Sequence, residues 1–224
     1  MSARDFPLID VPIVIASWEI ECCGPLPAVG QPTSWRLIFM PVHTPDMKSL
    51  ERDPGSVTEL EWQVELLPGG AYGRALYRND FAAYFYHSDW GAGGRSRPLP
   101  ALGRQTLHGL IDGTRHGGAE YDSFGSMTAT VSRIQVISWE HRLVERSQVR
   151  VPSSAELRDV RQSPKWFRRS PHPRRSPGVD SDNSSTGISD RSKKDADPFR
   201  EETGLLVTLR DDADRPGSGC RQQP

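Results

Sequence analysis

Residues 57–67 constrain the fold most. Leu60, Trp62, Val64 and Leu66 fall on one phase of a two-residue period, and Glu59, Glu61, Gln63 and Glu65 fall on the other. That pattern is a strand with one face buried and one acidic face in water. The same alternation runs through 12–22, where Trp18, Ile20 and Cys22 oppose Glu19 and Glu21. It returns at 35–39, where Trp35, Leu37 and Phe39 share a phase. Residues 126–139 hold two phases in succession. Met127, Ala129 and Val131 share one, and Ile134 and Val136 share the other, which predicts a bulge near Ser132-Arg133. The expected fold is all-β or β-dominated: a small bent sheet, or a partly open β-barrel of about five to seven strands, with a disordered C-terminal extension.

Glycine and proline punctuate these runs at Gly24-Pro25 and at Gly30-Gln31-Pro32. A short strand is expected within 106–111. Residues 73–90 place Leu76, Tyr77, Phe81, Tyr84 and Phe85 at roughly helical spacing, so a short helix or turn is predicted there. After Val151 the texture changes. Residues 163–203 are dense in Ser, Pro, Arg, Asp and Lys and poor in apolar residues, and such a segment cannot offset its ordering entropy. The expected division is a β domain over 1–150, a disordered charged linker or insertion over 151–203, and a disordered tail over 211–224. Within the linker, 153–162 reads as a frayed helix capped by Ser153 or Ser154. The apolar island 204–210 is either an adhesive patch or a strand returning to the sheet, and the second makes 152–202 an insertion of uncommon length.

Of 224 residues, 35% are hydrophobic, with most of the aromatics in the first two thirds, so the core is built there. The net charge of −1 neither demands nor excludes a polyanionic partner. Arginine outnumbers lysine 24 to 4, a bias that suggests a GC-rich bacterial genome. Three cysteines, two of them adjacent, cannot form a disulfide framework and read as cytosolic thiols. No stretch approaches the ~20 apolar residues of a membrane span, so no membrane association is expected.

Candidate chemistry is sparse. Cys22, Cys23, His108 and His116 are the residue types of a tetrahedral zinc site, the one cofactor these residues suggest, but adjacent cysteines on a strand point to opposite faces. Asp112 and His116 are candidates for an acid–base pair beside a cysteine nucleophile. The surrounding 108–118 run reads first as a glycine-rich surface turn, with Asp112-Gly113 as a hairpin signal. Gly91 to Arg95 lacks the strand and the Lys-Ser/Thr ending of a phosphate-binding loop. Downstream, Lys165, Trp166, Arg168, Arg169, Arg174 and Arg175 interleave cations with an aromatic, as single-stranded nucleic-acid binders do. A solvated polyampholyte is the simpler reading of that stretch, and Ser170 and Ser176 precede prolines as weak phosphorylation signals.

The run Trp18-x-x-x-Cys22-Cys23-Gly24, followed by Val29-Gly30 and Trp35-x-Leu37, resembles the opening of a family of uncharacterised bacterial proteins described as a domain of unknown function. His116-Gly117-Gly118 before the 128–137 strand resembles a second landmark of that family, and 204–209 a third. The resemblance implies no activity, and it favours the returning strand. The expected role is a non-enzymatic cytoplasmic binding or interaction domain for an unknown protein or small ligand. The alternatives are a metal-binding or thiol-dependent protein and a nucleic-acid-associated protein acting through 158–175.

Overall fold

A computed structural model describes residues 6–22, 24–41, 56–67, 73–86, 99–116, 125–144, 147–169 and 198–210. In chain order they form strand β1 (Asp10–Ala16), helix α1 (Ser17–Cys22), and strands β2 (Pro32–Pro41), β3 (Val57–Leu66), β4 (Arg74–Arg78), β5 (Phe81–Phe85), β6 (Gly103–Thr114), β7 (Met127–Val144), β8 (Ser147–Arg150), β9 (Glu156–Val160) and β10 (Phe199–Arg210). The strands hydrogen-bond in the order β10-β1-β6-β3-β4-β5-β2-β7, and β7 bonds β10, so an eight-strand barrel closes on itself. Closure removes open strand edges from this circuit. β6 also pairs with β2 across the circuit, through Arg36↔Thr114 to Pro41↔Gly109. β8 and β9 extend the sheet from β7.

The alternation seen in sequence sets the inside of the barrel. Trp35, Leu37 and Phe39 of β2, Leu60, Trp62 and Val64 of β3, and Met127, Ala129 and Val131 of β7 are buried in one core. Phe39 meets Trp62 edge-on at 6.1 Å and stacks on Phe85 at 6.0 Å. The phase change in β7 is a register shift against β10: Arg133 faces Thr208, Val131 faces Leu209, and Ser132 is the extra residue. Ser132 uses its hydroxyl there to reach Asp10, at 2.9 Å. Beyond the bulge Ile134 and Val136 continue the core face.

Several expectations are corrected. The predicted helix or turn at 73–90 is the hairpin β4–β5, in which Arg78 pairs with Phe81 around Asn79-Asp80. Asn79 takes φ 46°, a conformation asparagine tolerates better than most residues. The β domain does not end at 150. The expected frayed helix at 153–162 contains strand β9, paired with β7 from Ile134↔Val160 to Ser138↔Glu156, and Phe167 is buried in the main core. Segment 204–210 is the second half of β10, which lies between β1 and β7. Residues 170–197 and 211–224 lie outside the described residues.

Asp112-Gly113 is not a turn either, because both residues sit inside β6. Gly109 of the same strand shows why glycine is needed there. A Cβ at Gly109 would lie 2.5 Å from the carbonyl oxygen of Met40 and from the Phe39 ring, where β2 crosses closest. Gly109→Ala is therefore expected to lower stability by about 1–3 kcal/mol, the usual cost of overpacking, read as a drop in the chemical-denaturation midpoint. An unchanged midpoint would show that β2 and β6 can separate without cost.

Candidate functional site

The site grows from the end of β1. Pairing with β10 runs out where Ala16 meets Gly204, and the chain turns at Ser17 into the six-residue α1. The expected strand row of Trp18, Ile20 and Cys22 is corrected accordingly. Ile20 enters the core, Trp18 is 52% exposed and Cys22 is exposed. Glu19, assigned to the wet face in a strand, is buried at 2% exposure.

A buried carboxylate requires hydrogen-bonded partners. The end of β6 supplies them. The Thr114 hydroxyl donates to Glu19 Oε1 at 2.5 Å, the Arg115 amide donates to Oε2 at 3.2 Å, and His116 Nε2 stands 3.9 Å from Oε2. Trp18 lies over the His116 ring, with centroids 5.3 Å apart. Asp112, two residues earlier in β6, is half-buried; burial, and then the charge of Glu19, push its carboxyl up to about 6, against a hydrogen bond from the Gly113 amide. A carboxyl raised this far by desolvation and a neighbouring charge marks a candidate functional position.

The far end of α1 is clamped by the segment following β9. Lys165 Nζ donates to the carbonyls of Ile20 at 3.3 Å and Glu21 at 3.0 Å, which are among the last of the helix. The Phe167 amide donates to Glu21 Oε1 at 3.2 Å, and Arg169 pairs with Glu21 Oε2. Beyond the helix, Gly24 takes φ +78°, and the Arg115 guanidinium occupies the space a side chain would need there. That guanidinium also sits 4.0 Å from the Trp35 ring centroid and donates to Pro25 O at 3.0 Å.

Of the residues suggested for zinc, the structure places His108 and His116 far apart. His108 is exposed on β6 opposite Glu59, whereas His116 follows the end of that strand. At ~3.3 Å per strand residue, the six steps from 108 to 114 alone span roughly 20 Å, so the two imidazoles cannot reach one ion. Cys22 is on α1, and Cys23 lies outside the described residues. Among the described residues no group of three or more His, Cys, Asp and Glu side chains could hold a metal. Asp112 and His116 do come to one place, but the group between them is Glu19 rather than a thiol. Of the basic stretch, Lys165 and Arg169 are engaged with α1, the Arg168 amide donates to Glu202, and Trp166 is 70% exposed; Arg174 and Arg175 lie outside the described residues. Among the described residues no helix is long and apolar enough to cross a membrane.

Sequence reading missed Glu19, Thr114 and the exposure of Trp18. A helix of six residues is too short to display a 3.6-residue period, and it sits inside a run that alternates. The nearest available signal was Ser17 followed two residues later by an acidic side chain, the composition of a helix start.

Residues 9–211 match the sequence model of a protein family. The chain belongs to DUF6578, a family of unknown function. The match begins just before β1 and ends just after β10, so the family unit is the closed barrel with β10 included. No curated protein and no solved structure matches the chain.

Proposed function

We propose that this DUF6578 chain is a non-catalytic binding domain of the bacterial cytoplasm, and that it takes a protein partner on the surface around α1. One observation carries the reading: Trp18, on α1, and Trp166, next to the lysine that clamps α1, are 52% and 70% exposed. Tryptophan is the residue type most enriched where binding energy concentrates in protein interfaces, and most of its large apolar surface is ordinarily withdrawn from water. His116 under Trp18 and the polar groups of Lys165 and Glu21 give that surface a polar surround. The arginine bias and a cysteine count too low for a disulfide framework support the bacterial cytoplasm as the setting.

The test uses the full chain immobilised and exposed to lysate of its source organism, beside a Trp18→Ser/Trp166→Ser variant. Both positions are exposed, so the variant is expected to keep its melting temperature within a few degrees. Wild type should retain a defined protein that the variant loses by tenfold or more. Equal retention by both, or none by either, rejects the α1 surface as the recognition site.

A further inference from the structure

Phe6-Pro7-Leu8-Ile9 precedes β1 and belongs to no strand. Proline disfavours the helical region for the residue before it, so Phe6 is biased towards an extended backbone. Strands neighbour one another in the order β1-β6-β3-β4, and the segment reaches across that series to the tight turn between β4 and β5. There Asn79, at φ 46°, presents its side-chain amide. The Phe6 amide donates to Asn79 Oδ1 at 2.8 Å, and Asn79 Nδ2 donates to the Phe6 carbonyl at 3.1 Å. One side chain thus reads both backbone groups of one residue, as a paired strand does.

Two guanidiniums stand over the Phe6 ring, that of Arg104 at 4.3 Å and that of Arg78 at 5.0 Å from its centroid. Glu61 of β3 positions both. Its carboxylate takes a two-point fork from Arg104, Nε to Oε1 at 2.7 Å and Nη2 to Oε2 at 2.9 Å. Its carbonyl accepts from Arg78 Nη1 at 3.0 Å, which leaves Arg78 Nη2 to donate to the Pro7 carbonyl. Arg78 is buried, so its attraction to the ring meets little competition from water. Phe6 is buried as well, yet among the described residues it joins neither the main core nor either smaller apolar cluster. Its burial comes from this cradle and not from the barrel interior.

We propose that Asn79, Arg78 and Arg104, held in place by the β4–β5 turn and Glu61, form a recognition site for an extended peptide carrying phenylalanine followed by proline, and that Phe6-Pro7 fills this site in cis. Each contact reads a feature that such a peptide also supplies in trans. Asn79 reads the backbone, the guanidiniums read the aromatic face, and Arg78 reads the next carbonyl. A proline at that next position has no N–H left to satisfy. Main-chain bonds for affinity with a side-chain site for specificity is the usual division in peptide recognition. The internal segment competes at an effective concentration in the ~mM range, as short flexible tethers give, so an external peptide enters when that segment is weakened. The site shares no residue with the α1 surface and stands whether or not the tryptophans take a partner.

Fluorescence anisotropy with a labelled peptide of the sequence 2–9 tests this on the full chain. Phe6→Ala removes the internal ring, and that variant should bind the peptide about tenfold or more tightly than wild type, whose tethered segment competes. The same peptide with alanine in place of phenylalanine should not bind. Arg104→Ala added to Phe6→Ala should weaken binding by roughly five- to tenfold, the effect of losing one cation from an aromatic face. If Phe6→Ala loses its cooperative melt, Phe6→Leu, which keeps the bulk without the π face, takes its place. The proposal fails if wild type binds the peptide as tightly as the variant, if the variant binds neither peptide or both alike, or if Arg104→Ala changes nothing. It fails also if neither variant melts cooperatively, because Phe6 is then a structural plug.

Discussion

A chain ending at residue 197 is expected not to fold. The missing part is β10, and β10 lies between β1 and β7, bonded to β1 from Asp10↔Arg210 to Ala16↔Gly204 and to β7 from Phe199↔His141 to Arg210↔Thr130. Without it the eight-strand circuit opens, and two long strand edges face water. Leu205, Val207 and Leu209 leave the main core, and Leu206 leaves a second cluster against Ile137 and Trp139. Each such side chain contributes ~1.5–3 kcal/mol when buried, so the four together contribute roughly 6–12 kcal/mol, against the ~5–15 kcal/mol of a whole domain. Circular dichroism should show loss of the strand signal, and heating should show no cooperative transition. A truncated chain that melts cooperatively would demonstrate that β1 and β7 close the barrel unaided.

Asp112→Asn is expected to stabilise the protein at neutral pH. Asp112 rises from 3.8 to about 6 on folding, so the folded state holds its proton more tightly than the unfolded chain does. Stability from this group is therefore fully present below about pH 4, falls as pH rises between 4 and 6, and stays low above. Roughly two units at 1.36 kcal/mol each give up to ~3 kcal/mol. The Asn variant removes that dependence. Its side-chain oxygen can still accept the Gly113 amide hydrogen that Asp112 accepts. Denaturation at pH 5 and pH 7.5 should show the gap between variant and wild type widening with pH. A variant less stable than wild type at pH 7.5 would mean that the Asp112 charge has a partner worth more than its burial costs.

Much of the barrel was legible because it is written in the backbone's own period. In β2, β3 and β7 successive side chains alternate between core and water, and a bulge leaves its trace as a change of phase at Ser132. The β4–β5 hairpin was obscured because both faces carry apolar residues. Leu76 and Phe85 face the main core, while Ala75 and Tyr84 fill a separate small cluster with Leu67, distinct from that of Leu206. No polar phase remained to mark a strand. The functional surface was less legible still. Trp18 and Glu19 exchanged places relative to the expected strand, one outward and one inward, and no local pattern encodes that exchange.

The sequence by itself determined that this chain is a β protein, which faces of β2, β3 and β7 go inward, and where β7 bends. These follow from two-residue periodicity and from the chemistry of glycine and proline, which act over a few residues. Only the tertiary structure decided that β10 closes the barrel, that residues 156–169 belong to it, and that Glu19 is buried against Thr114 and beside Asp112. The Thr114 bond to Glu19 joins residues 95 positions apart, and the Phe167 bond to Glu21 joins residues 146 apart. Their energies depend on which groups lose water together, which no segment of the chain can specify alone.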